Sequence, residues 1–129
     1  MAQVHASIGT EHYRTLIRTD NNTLISDEPA SSGGEDLGFS PEELLAASLS
    51  ACTCATLRMY ADRKGWHELT GIQVDITFNR EPGSSSMIRN IVLEGPLSAE
   101  QRDRLLAIAN KCPIHQALSH PIQIETTLK

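Results

Sequence analysis

The stretch SPEELLAASLSACTCATLRMYADRKG, Ser40 to Gly65, decides the fold. Ser40 is an N-cap residue, Pro41 takes the first helical position, Glu43 closes a capping box, and Gly65 follows Arg63 and Lys64 as a stop. The pattern predicts one long helix over 40–65. Between Ala46 and Thr56 every residue except Leu49 is small and none is charged, so other backbones can approach this helix closely. A helix that is apolar nearly all round at its middle belongs in an interior, and so small a domain is expected to need a second subunit to cover it.

Toward the N-terminus, residues 3–8, 12–19 and 23–27 read as three short strands separated by Gly9-Thr10-Glu11 and Asp20-Asn21-Asn22, a small β-meander. EPASSGGEDLGF, residues 28–39, is a loop long enough to suggest a role. Its Gly33-Gly34 pair lacks the spacing and the Lys of a phosphate loop, and Glu35 and Asp36 would repel phosphate, so a flexible cover is expected.

Toward the C-terminus, Ile72, Val74, Ile76 and Phe78 alternate with Gln73, Asp75, Thr77 and Asn79, the period of a half-buried strand. A turn at 81–86 returns the chain into a strand from Met87 to Glu94, which Gly95-Pro96 ends. Ser98 and Gln101 form a second capping box, opening a helix whose apolar face is Leu105, Leu106, Ile108 and Ala109 and whose end lies near Cys112-Pro113. A short helical piece, Ile114 to Leu118, precedes Pro121, after which Ile122, Ile124, Thr126 and Leu128 alternate as a closing strand. The predicted order is βββ-α-ββ-α-β, an α+β fold with mainly antiparallel pairing in a single domain over 1–129.

The 129 residues are 40% hydrophobic and 21% charged, with a net charge of −5, which removes the broad positive potential that nucleic acid or an anionic membrane requires. Aromatics make up 4%, too few for a base-stacking platform. No uninterrupted apolar run reaches the roughly 18 to 20 residues of a membrane span, and the first residues lack the pattern of a secretory signal, so a cytoplasmic location is expected. Three cysteines without a signal point to thiol chemistry or plain packing rather than a disulfide scaffold.

Those cysteines are Cys52 and Cys54 on the long helix and Cys112 at the end of the later one. At about 100° per residue, Cys52 and Cys54 face nearly opposite ways, so at most one faces any given site, and periodicity does not choose between them. A reactive thiol needs a cation or a helix N-terminus nearby and some access to solvent. Cys112 has Pro113 opening a new turn, with Lys111 and His115 beside it. Mid-helix in apolar company, Cys52 would have a raised pKa unless an arginine is brought to it, and Arg14, Arg18 and Arg58 are the candidates. Zinc is the weaker competing reading, because ligands at i and i+2 of a helix diverge and only the Cys112 and His115 pair has structural zinc spacing. His5, His12, His67 and His120 receive no role, and no Gly-x-Ser-x-Gly elbow supports a serine nucleophile.

The segments SPEELLAASLSAC, LRMYADRKGW, EGPLSAEQRDRLLAIANKCPIH and PIQIETTL together resemble the OsmC/Ohr family, the osmotically induced protein C and organic hydroperoxide resistance proteins, with a continuation after the cysteine closer to the OsmC-like branch. The resemblance implies an intertwined homodimer with its two long helices buried between β-sheets. It implies a thiol peroxidase of oxidative stress defence that reduces organic hydroperoxides to alcohols, with Cys52 as the peroxidatic and Cys112 as the resolving thiol. Glu42 and an N-terminal arginine, matched to Arg14 with Arg18 behind it, would organise the thiol. An external dithiol of lipoyl or other type would restore the enzyme, with no metal or organic cofactor. Glu42 and Cys52 stand ten residues apart, about 15 Å along a straight helix, so joint action requires either a glutamate from a second subunit or a bend near Pro41. The alternative is a non-catalytic dimer that keeps the fold and binds a small apolar ligand at its interface, with no arginine directed at Cys52.

Overall fold

The computed structural model describes all residues from Met1 to Lys129, and the chain divides into two compact units, Met1–Ala46 and Ala47–Lys129. In the first unit the meander forms as β1 (His5–Ser7), β2 (Thr15–Arg18) and β3 (Thr23–Ser26), antiparallel in that order and shorter than the sequence suggests. The loop at 28–39 is not the flexible cover expected. It holds a 3-10 turn at Ala30–Ser32, and the buried Asp27 carboxylate, 2% exposed, gathers four backbone N–H donors around it. Tyr13 and Glu28 donate to Oδ1 at 3.1 and 2.8 Å, Glu35 and Leu37 to Oδ2 at 3.3 and 3.1 Å. Asp27 and Ser26 in turn donate to the Phe39 carbonyl, which closes the loop at its far end. Counting apolar residues misses such a loop because its order comes from one ion and a set of backbone donors.

The long helix α1 runs from Pro41 to Lys64, with the Ser40 and Glu43 capping box formed in both directions. Gly65 takes φ 68°, the left-handed conformation that ends a helix cheaply only in glycine. Leu49, Thr53, Leu57 and Ala61 recur every four residues as its buried stripe, while Ala51, Ala55 and Met59 face outward. Interior burial is thus confined to one side of α1 in a single chain. By length and composition α1 is also apolar enough to cross a membrane, with a mean hydropathy of 1.2 over 18 residues. The core helix of a soluble protein passes the same test, and Ser48, Ser50, Thr53 and Thr56 interrupt the apolar run at little cost in hydropathy.

In the second unit, β4 (Gly71–Asn79) and β5 (Ser86–Glu94) form an antiparallel hairpin in the register Ile72 to Leu93, Val74 to Ile91 and Ile76 to Arg89. Helix α2 (Ala99–Ala109) starts on the Ser98 and Gln101 capping box, and α3 (Pro113–Leu118) follows. Leu57, Ala61, Leu69, Leu105, Ile108 and Ala109 make the core, with Ile72, Ile91 and Leu93 of the hairpin packed on it. Leu106, assigned to the buried face of α2, is exposed instead. The closing strand does not form either: residues 121–129 carry no regular structure, and Ile122, Ile124 and Leu128 are exposed. Their alternation fits a strand, but a strand exists only against a sheet edge that accepts its hydrogen bonds. The observed order is therefore βββ-α-ββ-αα.

Candidate active site

The second unit brings Cys52 of α1 and Cys112 of the α2–α3 junction together. The Cys112 thiol is near enough to Cys52 to lower its pKa, and both thiols are free rather than joined. Cys112 is fully buried and is the N-cap of α3, where its Sγ accepts the His115 backbone N–H at 3.3 Å. Pro113 follows at the first helical position, which presets the turn that aims these donors. Cys52 is half-buried, with its Sγ 3.8 Å from the Thr56 hydroxyl one turn on. Cys54 is half-buried and also free.

Burial pushes the Cys52 thiol up, as expected of a sulfur in apolar company, yet its pKa lies below the usual thiol value. The opposing causes are a backbone hydrogen bond from Ile114, the contacts with Cys112 and Thr56, and the positive charge of Arg89. The help that the sequence of α1 lacks is supplied by two other elements, α3 and β5.

Arg89 is the residue that reading the sequence missed. Its Nη1 donates to Thr53 Oγ1 at 3.1 Å, and its Nη2 reaches Asn110 Oδ1 and His115 Nδ1, each at 3.0 Å. A guanidinium only donates, so the His115 Nδ1 is the acceptor here. The signal was present in the alternation of β5, where Met87, Arg89, Ile91 and Leu93 form the half-buried face and Ser86, Ile88, Asn90, Val92 and Glu94 the exposed one. An arginine in the inward register of a strand requires a reason, and tracking the alternation past the apolar residues would have found it.

The three arginines proposed from the sequence are placed otherwise. Arg58 is held by Asp62, at 3.1 Å, and by the Leu69 carbonyl, at 2.7 Å. Arg14 and Arg18 belong to the first unit, where Arg14 pairs with Glu11 at 3.9 Å and Arg18 sits opposite His5 across the meander. Glu42 lies in the first turn of α1, also in the first unit. No group of three or more His, Cys, Asp and Glu side chains converges anywhere in the chain, and the Cys112 and His115 pair is joined by a backbone N–H rather than by a shared ligand position.

Comparison with known proteins decides the family. A family model described as OsmC-like protein matches residues 33–127, a span that includes both thiols, Arg89 and Glu42. This chain belongs to the OsmC-like protein family. Solved structures agree at the level of fold. A protein of Psychrobacter arcticus assigned to the osmotic stress and detoxification response shares 23% identity over 94% of this chain and 90% of its own, with a TM-score of 0.77. An OsmC-like protein of Mycoplasma pneumoniae shares 19% over 91% and 86%, with a TM-score of 0.76. The organic hydroperoxide resistance protein OhrB of Bacillus subtilis shares 22% over 91% and 89%, with a TM-score of 0.62. A search of curated proteins finds no match. The OsmC-like fold has small antiparallel sheets and a long central helix, which in this chain is α1.

Proposed function

We propose that this OsmC-like protein is a two-cysteine peroxidase that reduces organic hydroperoxides, acting as one domain per subunit in the cytoplasm. The observation that carries the reading is the pair of free, neighbouring thiols, of which Cys52 has a lowered pKa and keeps access to solvent while Cys112 is fully buried. A peroxide can reach the first sulfur and not the second, which divides the roles between them.

The Cys52 thiolate attacks one peroxide oxygen, forming an S–O bond as the O–O bond breaks. The alkoxide leaves and takes a proton to become the alcohol, and Cys52 is left as a sulfenic acid. Cys112 loses its proton and attacks the Cys52 sulfur; the S–O bond breaks, the departing hydroxide takes up that proton as water, and a disulfide remains. An external dithiol, lipoyl or other, returns both thiols by exchange through a mixed disulfide. Glu42 and Arg14 enter as organising groups contributed by the N-terminal unit of a second copy. Such a copy would cover the outward face of α1, where Met59 is 56% exposed, and offer the sheet edge that residues 122–128 lack.

Titration of the reduced protein with cumene hydroperoxide tests the reading. Rapid stoichiometric consumption with a Cys52 to Cys112 disulfide, both lost in Cys52→Ser, is the expected result. Consumption no faster than by free thiol and no such disulfide would overturn it, leaving a dimer that binds a small apolar ligand without turnover.

A further inference from the structure

We propose that Arg89 is the positioning residue of the thiol pair: its guanidinium clasps the Cys52 helix to the Cys112 turn and sets a positive charge beside Cys52. Three contacts carry this. Thr53, the immediate neighbour of Cys52, receives Nη1 at 3.1 Å; Asn110 and His115, which flank Cys112 on either side, receive Nη2 at 3.0 Å. The segments that bear the two sulfurs are thus tied through one planar group. Thr53 is fully buried and its hydroxyl is already spent on the Leu49 carbonyl at 2.7 Å, so its lone pair is aimed rather than free to rotate. His115 is fixed at its other end through its backbone N–H on Cys112 Sγ.

The charge of Arg89 is left over. Arg14 pairs with Glu11 and Arg58 with Asp62, whereas the contacts of Arg89 go to Thr53, Asn110 and His115. All three of its acceptors are neutral groups, so its full positive charge stays available to an anion nearby, and Cys52 as thiolate is that anion. A carboxylate in place of Asn110 would cancel it. The ionisable groups around the pair are Cys52, Cys112, His115 and Arg89 itself, with no acid among the contacts. The first unit is not needed for this device, since every partner lies between Ala47 and Lys129.

This inference rests on the two-cysteine reading for its purpose, and its test uses no peroxide, so the two can fail separately. Cys52 alkylation by iodoacetamide, followed by peptide mass spectrometry across pH, reports the thiolate; diamide-driven formation of the Cys52 to Cys112 disulfide reports their alignment. In Arg89→Met the alkylation midpoint moves up and the rate at pH 7 falls about threefold, as a roughly tenfold loss of thiolate is partly offset by the greater nucleophilicity of a more basic sulfur. Arg89→Lys keeps the charge and loses the fork, so its midpoint stays near wild type while diamide coupling slows at least about threefold. An unchanged midpoint in Arg89→Met, or one that rises as far in Arg89→Lys, overturns the charge; unchanged coupling in both overturns the clasp. Should Arg89→Met fail to fold, Asn110→Ala replaces it: slower coupling at an unchanged midpoint supports the clasp, and coupling at the wild-type rate in Asn110→Ala and Arg89→Lys overturns it. Shifts at Arg89 in a protein that leaves cumene hydroperoxide untouched would keep this inference and remove only the peroxidase.

Discussion

Asp27 in the first unit and Arg89 in the second are built on the same plan with opposite outcomes. Each is a single charged side chain that collects several neutral partners. Around Asp27 the partners are four backbone N–H groups, which saturate both carboxylate oxygens and lower the carboxyl pKa in spite of burial. Around Arg89 the partners are a hydroxyl, an amide oxygen and an imidazole nitrogen, all side-chain groups on elements that also carry a thiol. Backbone donors spend the charge on local order, whereas side-chain acceptors hold the charged group in place and leave its field to act on a neighbour. The kind of partner therefore tells a structural ion from one available for chemistry.

The comparison is broken most severely at Cys52. Cys52→Ser removes the anion that Arg89 faces, and hydroperoxide consumption is expected to fall by at least about a hundredfold in a stopped assay, because a serine hydroxyl stays protonated at neutral pH and is a poor nucleophile toward peroxide. A wild-type far-UV spectrum in the same variant would show that the loss is chemical. Cys112→Ser sharpens the division of roles: one equivalent of hydroperoxide is still consumed, and Cys52 accumulates as sulfenic acid, trapped by dimedone, in place of the disulfide.

Asp27→Ala is the matching test on the structural side. Amide exchange at Tyr13, Glu28, Glu35 and Leu37 should accelerate about tenfold or more as their common acceptor disappears. Asp27→Asn should lose protection at one pair only, since a carboxamide presents an acceptor at one end and donors at the other. Acid does the same to the native chain. The folded pKa of Asp27 lies below the unfolded one, so its contribution is complete above the ordinary aspartate range and disappears as pH falls through the lowered value. Exchange at these four amides should then rise toward the rates of the alanine variant. The smallest effect belongs to the caps: Ser40→Ala and Ser98→Ala each lose a side-chain acceptor and a capping box, for about 1 kcal/mol apiece in denaturant unfolding.

What could be read in the sequence follows the range of the interactions involved. Helix α1 and its caps and the Ser98 capping box depend on residues a few positions apart, the β4–β5 hairpin on two adjacent alternating segments and the turn that joins them, and all appear where the pattern puts them. The closing strand and the order of the 28–39 loop depend on partners that local pattern does not name: a sheet edge in one case and a single buried carboxylate in the other. The site divides in the same way. The thiols could be found because cysteine declares its chemistry, and the Cys112-Pro113 junction announces an N-cap. Arg89 lies 37 residues beyond Cys52, and only the inward register of β5 marks it, so a search among arginines near the cysteines or in the N-terminal strands passes it by.

The Cys112 sulfur also begins a helix. Helix α3 is six residues long; Pro113 brings no N–H, the Ile114 N–H turns to Cys52, and the His115 N–H is capped by the Cys112 sulfur. A thiolate is a good acceptor and a disulfide sulfur a poor one, and bonding to Cys52 turns the lone pairs away. A disulfide between the pair would therefore weaken the cap of α3, the element that donates to Cys52 through Ile114. The redox state of two sulfurs would then become a difference in the firmness of one turn of chain.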